Sequence, residues 1–260
     1  MKKPKIVATI EARMNSSRLP GKVMKKINKY PLLEILIKRV MRSKLTDHVV
    51  VATTTSKKDD EIVNFLKKKK ISFFRGSEKN VTLRVIKAAE KYKADIIVQL
   101  TGDNPLIDPK IIDYMIKYFT KEFPKFHFIA NNGLGMYSRR TVPWGMDVQI
   151  FTYKDLVSNY KKSFKKILRE HPSLYFYREG RKFYNLKNLP MPRYWRSNIN
   201  PRLTVDTPKD LKLIRMIFKK LGKNKNFYFG LKEILNFLKQ HKSYLSINNK
   251  IKQKKISIRY

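Results

Sequence analysis

Cysteine is absent from all 260 residues, which excludes disulfides and thiolate metal ligands. That usage is compatible with a reducing compartment, and the chain reads as cytoplasmic. Acidic residues are sparse: 20 Asp and Glu face 59 Lys and Arg, for a formal net charge of +39. Long hydrophobic runs are lacking as well. The apolar run near the start, Ile6-Val7-Ala8-Thr9-Ile10, stops at Glu11, too soon for the core of a signal peptide. No stretch approaches the roughly 20 residues of a membrane span, so a soluble protein without a membrane span is expected.

So many cations could draw nucleic acid, an anionic membrane or acidic small molecules. Most of the excess is lysine, however, spread over helix faces as in Lys67-Lys68-Lys69-Lys70 and not gathered into an arm. Diffuse charge of this kind reads as solvated surface, and no specific nucleic-acid partner is expected. The length suits one α/β domain. It is placed over 1–241, before the composition turns to Ser, Asn, Lys and Ile in a basic C-terminal tail over 242–260.

Strand and helix signals alternate through the first half. Val49-Val50-Val51-Ala52, Ile71-Ser72-Phe73-Phe74 and Asp95-Ile96-Ile97-Val98-Gln99-Leu100 read as strands. Between them, Leu32 to Met41, Asp59 to about Lys70 and Val81 to about Tyr92 read as helices. The acids Asp59-Asp60-Glu61 suit the positive dipole end of the second. Near-continuous apolar strands separated by helices imply a parallel sheet covered on both faces. Further on, Phe128 to Asn131, Met146 to Phe151 and Leu203-Thr204-Val205-Asp206 read as strands. Tyr153 to Tyr160, Phe164 to Arg169 and the segment opening at Thr207-Pro208 read as helices.

In such a sheet, ligands bind beyond the carboxyl ends of the strands. The first strand empties into Ala12-Arg13-Met14-Asn15-Ser16-Ser17-Arg18-Leu19-Pro20-Gly21-Lys22. Guanidinium forks, an ammonium, hydroxyls and backbone N–H groups in one loop suit a polyanion, and a nucleoside triphosphate is the obvious guest. Another strand runs into Thr101-Gly102-Asp103-Asn104-Pro105, and Val205-Asp206-Thr207-Pro208 follows a third. Asp103 and Asp206 facing a triphosphate would hold Mg²⁺, which takes one or two carboxylates together with phosphate and water.

These residues carry a resemblance. Ala12-Arg13-x-x-Ser16-x-Arg18-Leu19-Pro20-Gly21-Lys22, Gly102-Asp103-x-Pro105-x-Ile107, Thr141-Val142-Pro143-Trp144 and Val205-Asp206-Thr207-Pro208-x-Asp210-Leu211 look like the cytidylyltransferases that make CMP-sugars. CMP-KDO synthetase and acylneuraminate cytidylyltransferase belong to that family. Pro143-x-Gly145-x-Asp147-Val148 and Arg169-Glu170-His171 bring the chain nearest to its spore-coat polysaccharide biosynthesis group. The resemblance runs from about Lys5 to about Ile217. It implies a Rossmann-like three-layer nucleotidyltransferase fold with a mostly parallel central sheet.

The activity implied is transfer of a cytidylyl group from CTP to a small sugar, a nonulosonic acid, KDO-like or related surface-glycan sugar, with Mg²⁺ as cofactor. Arg13, Lys22 and Asp103 would carry the catalysis. Ala12, Arg13, Ser16, Arg18, Lys22, Arg84 and Thr101 would bind the nucleotide, and Asp103 and Asp206 the metal. Asp147, Gln149 and His171 would face the acceptor. Gln149 stands where relatives often have glutamate, Asn80 where the spore-coat group tends to have aspartate, and Glu11 replaces a commoner glutamine or proline. Relatives often dimerise, which implies a homodimer. Trp144, Tyr194 and Trp195 could stack on a sugar or base, and Arg139-Arg140 could meet a sugar carboxylate. Two rival readings are a metal-dependent glycosyltransferase of similar α/β fold and a basic nucleic-acid-binding protein.

Overall fold

A computed structural model describes residues 3–135, 140–222 and 228–253. The first apolar run folds as β1 (Ile6–Glu11) and is followed, beyond the basic loop, by a small antiparallel hairpin of β2 (Lys26–Ile27) and β3 (Tyr30–Pro31). Then α1 (Leu32–Val40) leads to β4 (His48–Thr54), α2 (Asp60–Lys68) to β5 (Phe73–Gly76), and α3 (Val81–Lys91) to β6 (Ile96–Thr101). This is the alternation the apolar pattern predicts. The long helix α4 (Pro109–Glu122) connects to β7 (Phe128–Ala130) and on to β8 (Gln149–Thr152). Three shorter helices follow, α5 (Tyr153–Lys162), α6 (Lys166–Glu170) and α7 (Leu174–Tyr177). β9 (Leu186–Asn188), α8 (Pro208–Leu221) and α9 (Leu231–Gln240) complete the set.

The seven main strands lie in the order β5-β4-β1-β6-β8-β7-β9. β1 pairs in parallel with both β4 and β6, and β8 alone runs against its neighbours. Side chains of β1 alternate between two cores, as strand geometry requires. Ile6, Ala8 and Ile10 pack with α1, α2, α4, α8 and α9, and Val7 packs with α3, α5 and α7. The sheet is therefore the middle of three layers, and β1 needs apolar residues on both faces because neither meets water. Among the described residues, no helix is long and apolar enough to cross a membrane.

Some elements differ from expectation. The strand read at Met146 to Phe151 begins at Gln149 and runs antiparallel to β6. The helix read from Phe164 begins at Lys166, and the Phe164 ring is 85% exposed. Leu203 to Asp206 forms no strand. Beside β6 the sheet position is already taken by β8, so this extended segment bonds to loops instead. Leu203 N donates to the Trp144 carbonyl at 2.8 Å, and Val205 N to the Asp103 carbonyl at 2.9 Å. Thr207 then caps α8 through a capping box with Asp210. Within the segment set apart as a tail, Lys242–Ile247 forms a 3₁₀ turn whose Tyr244, Leu245 and Ile247 rest on the core, and Asn248 is buried.

Candidate active site

β1 and β6 end level with one another, Glu11 opposite Thr101, so the loops that follow open into one crevice. Gly102 makes this close approach possible. Its N–H donates to the Glu11 carbonyl at 2.8 Å, and a Cβ at this position would lie 2.6 Å from that oxygen. The basic loop is tied down from a distance. Met14 N donates to Asp59 Oδ1 at 2.7 Å, Gly21 N closes the loop onto the Met14 carbonyl at 2.9 Å, and Asp59 Oδ2 accepts from Thr54 N at 3.2 Å. The sequence shows Asp59 only as a first-turn acid of a helix. Its buried carboxylate in fact fixes the loop that carries the cations. Asp59→Ala is expected to raise KM for the nucleotide about tenfold with a smaller change in kcat, because it removes uniform binding; steady-state kinetics check this.

Three segments far apart in sequence meet at Lys22. Its Nζ lies 2.9 Å from Asp103 Oδ2 and 2.8 Å from Asp206 Oδ1. Burial alone would lower the Lys22 pKa, but Asp103 and Asp206 outweigh it and hold the ammonium above its ordinary value. Arg18 Nη2 reaches Asp206 Oδ2 at 2.9 Å, and Arg202 Nη2 bonds the same oxygen. Burial opposes the charge on Asp206, yet Lys22, Arg18 and Arg202 together keep its carboxyl below the usual range. Thr101 Oγ1 donates to Asp103 Oδ1 at 2.6 Å and accepts from Asn104 Nδ2 at 3.0 Å, which orients the other carboxylate.

Two joined chambers flank this cluster. The smaller, of 330 Å³, is lined by Ala12, Arg13, Ser16, Arg18 and Lys22 from the first loop, with Arg84, Thr101, Asp103 and Asp206 around them. Every residue expected at the nucleotide and metal therefore falls in one cavity. The larger, of 590 Å³, is lined by Asp147, Gln149 and His171, the residues expected on the acceptor side. Glu11, Thr101, Asp103, Glu170 and His171 belong to both, so the chambers communicate at the carboxylate cluster.

Asp103 Oδ2 and Asp206 Oδ1 converge on one cationic point, and such a pair of hard oxygen donors suits a divalent ion. Among the described residues no group of three or more His, Asp or Glu is placed to hold a metal. An ion here would take its remaining ligands from phosphate and water.

Other candidates separate clearly. Trp144 lines the larger chamber, whereas Trp195 is buried in the core and Tyr194 stands exposed against it. Asn80 caps α3 by accepting from Leu83 N at 3.0 Å and reaches Tyr160 Oη with its amide. Arg140 lies 3.9 Å over the Trp144 ring and 2.6 Å from Asp147 Oδ1, and Arg139 lies outside the described residues. Arg202 and Gln253 were not legible as site residues. Gln253 lines the larger chamber and bonds Arg202.

Glu11 is the most perturbed acid here. Burial pushes its carboxyl up to about 7, against the lowering pull of Arg84 and of the Gln99 amide, which donates to Oε1 at 2.7 Å. A raised acid binds its proton more tightly folded than unfolded. Its stability cost therefore accumulates as pH climbs from 4.5 towards 7 and is complete above that. Glu11→Gln is expected to be about 3 kcal/mol more stable than the parent at pH 8 and nearly equal to it at pH 4, from ~1.4 kcal/mol per pH unit. Urea denaturation at the two pH values measures the difference.

The chain is similar to several known proteins. A family model described as cytidylyltransferase matches residues 7–251. Spore coat polysaccharide biosynthesis protein SpsF of Bacillus subtilis is 33% identical over 84% of this chain and 88% of its own length. An uncharacterized protein of Methanocaldococcus jannaschii is 34% identical over 96% of this chain and 97% of its own. Among solved structures, a cytidylyltransferase from Leptospira borgpetersenii superposes with a TM-score of 0.85 at 31% identity, covering 96% of this chain and all of that one.

Proposed function

Because this chain belongs to the cytidylyltransferase family, we propose that its crevice moves a cytidylyl group from CTP to a sugar, with Mg²⁺ as cofactor and pyrophosphate as the leaving group. The observation that carries this reading is the Lys22, Asp103 and Asp206 cluster at the junction of a cationic chamber and a larger polar one. A triphosphate in the smaller chamber meets Arg13, Arg18 and Lys22. Their charges offset the negative charge that grows on the departing pyrophosphate. Asp103 and Asp206 would hold the ion, which when bound supplies further charge neutralisation and a fixed orientation for the phosphates.

A sugar in the larger chamber is then held beside the α-phosphorus. Its hydroxyl oxygen forms the new P–O bond as the bond to pyrophosphate breaks, and the hydroxyl proton passes to water. Little covalent chemistry falls to the protein, so holding both partners in line is its main contribution. The SpsF name speaks of spore coat polysaccharide, and we infer that the activated sugar here is destined for a surface glycan, made in the cytoplasm.

A pyrophosphate-release screen tests this. Four nucleoside triphosphates are combined with Mg²⁺ and a panel of acidic, aminated and phosphorylated sugars. Pyrophosphate is expected with CTP and not with the other three. Release that ignores the base, or none with CTP and any sugar of the panel, would overturn the reading.

A further inference from the structure

In a chain carrying 59 Lys and Arg, the larger chamber is short of cations. Among its described lining residues Arg140 is the one Lys or Arg, and its charge is already matched. Asp147 lies 2.6 Å from its Nη2, the Pro143 carbonyl accepts from the same nitrogen at 3.2 Å, and the guanidinium covers the Trp144 ring with 3% of the side chain exposed. A sugar carboxylate entering here would meet a guanidinium already paired with Asp147 and 3% exposed, whose buried Nε lacks a hydrogen-bond partner, and would face a triphosphate next door.

The wall instead offers acceptors. Gln99 is 7% exposed, spends its amide N–H on Glu11, and leaves Oε1 buried with no partner. Glu11 and Glu170 line both chambers. A buried acceptor without a donor is costly, and a ligand that brings N–H groups removes that cost. One carboxyl beside it, Glu11, and another lining the same chamber, Glu170, favour a donor that is charged.

From the orphaned Gln99 carbonyl beside Glu11, in a chamber that Glu170 also lines, we propose that the acceptor is an amino sugar whose ammonium is received by these acceptors. The inference rests on cytidylyl transfer being the reaction and narrows which sugar takes part. It departs from the acidic sugars that the motif resemblance implies. The nearby triphosphate adds a general attraction for any cation, so the assignment to these side chains needs variants as well as ligands.

Isothermal titration of the full chain separates the points. The chain is first saturated, with Mg²⁺ present, with a CTP analogue whose α,β-bridging oxygen is replaced by methylene, so that no turnover occurs. If the analogue does not bind, cytidylyl transfer itself fails. Given binding, D-glucosamine, D-glucose and D-glucuronate are titrated at pH 7 and equal ionic strength. Glucosamine is expected to bind at least about tenfold more tightly than glucuronate, as suits a charge-assisted contact set against a repulsion, with glucose between them. In the Glu11→Gln, Glu170→Gln double variant the three should fall within about twofold of one another. Glucuronate binding as well as glucosamine, three indistinguishable sugars including three that fail to bind, or a preference that survives in the double variant would each overturn the inference. Should the double variant not fold, Glu170→Gln is titrated alone, and a glucosamine preference that it leaves unchanged overturns the inference.

Discussion

Asp103→Ala is expected to lower pyrophosphate release from CTP about a thousandfold or more, since several kcal/mol of transition-state stabilisation vanish with a metal-holding carboxylate and each ~1.4 kcal/mol is tenfold in rate. The fold should survive. Asp103 is 22% exposed in its side chain, and Lys22 keeps its second partner, Asp206, at 2.8 Å. The expected shift in stability is within about 1 kcal/mol, as for partly exposed pairs. Rates and thermal melts on one preparation separate the two effects. A variant that turns over at the parent rate removes Asp103 from the reaction, and a variant that unfolds assigns it to the fold instead.

Arg202→Leu should act the other way round, striking stability first. The guanidinium is 6% exposed and bridges Asp210, at 3.0 Å, to Asp206. Asp210 is fully buried. It also accepts from Asp206 N at 3.0 Å, Thr207 N at 2.9 Å and Asn248 Nδ2 at 2.8 Å. Removing the cation that pairs with this buried carboxylate leaves a charge without compensation among the described residues, a loss of about 3–5 kcal/mol. For a chain of this size that corresponds to a melting temperature lower by roughly 10 °C. Urea denaturation should show it, and activity should fall too, because Asp206 loses a contact that aims it at Lys22. A change below 1 kcal/mol would mean that Asp206 and Asp210 are held well enough by their other partners.

Both residues bear on how far the sequence could be read. The central sheet was legible because Ile6 to Ile10, Val49 to Ala52 and Ile96 to Leu100 are apolar on both faces, a pattern that only a covered parallel sheet requires. The basic loop and Asp103 were legible because each follows such a run. Asp206 was found for a partly mistaken reason. Leu203 to Asp206 has the composition of a strand and is buried like one, but its hydrogen bonds go to loop carbonyls at Trp144 and Asp103. Apolar composition reports burial, and it does not say which neighbour supplies the hydrogen bonds.

The supports of the site were not legible. Asp59 looks like any acid in a first helical turn, yet it anchors Met14 across 45 positions. Arg202 follows a proline in a loop-rich stretch, and its partners Asp206, Asp210 and Gln253 are joined to it only by the folded path of the chain. The charge balance of the larger chamber was hidden for a related reason. A net charge of +39 describes the whole surface, while a few side chains set the field in one cavity.

Calorimetric titration of CTP, UTP, ATP and GTP into the full chain, with and without Mg²⁺, addresses the donor chamber directly. CTP with Mg²⁺ is expected to bind at least about tenfold more tightly than the other three, the scale of a small number of added base contacts. Asp103→Ala is expected to abolish the dependence on the ion. Equal binding of all four nucleotides, indifferent to Mg²⁺ and to Asp103, would contradict the assignment of this crevice to metal-bound CTP.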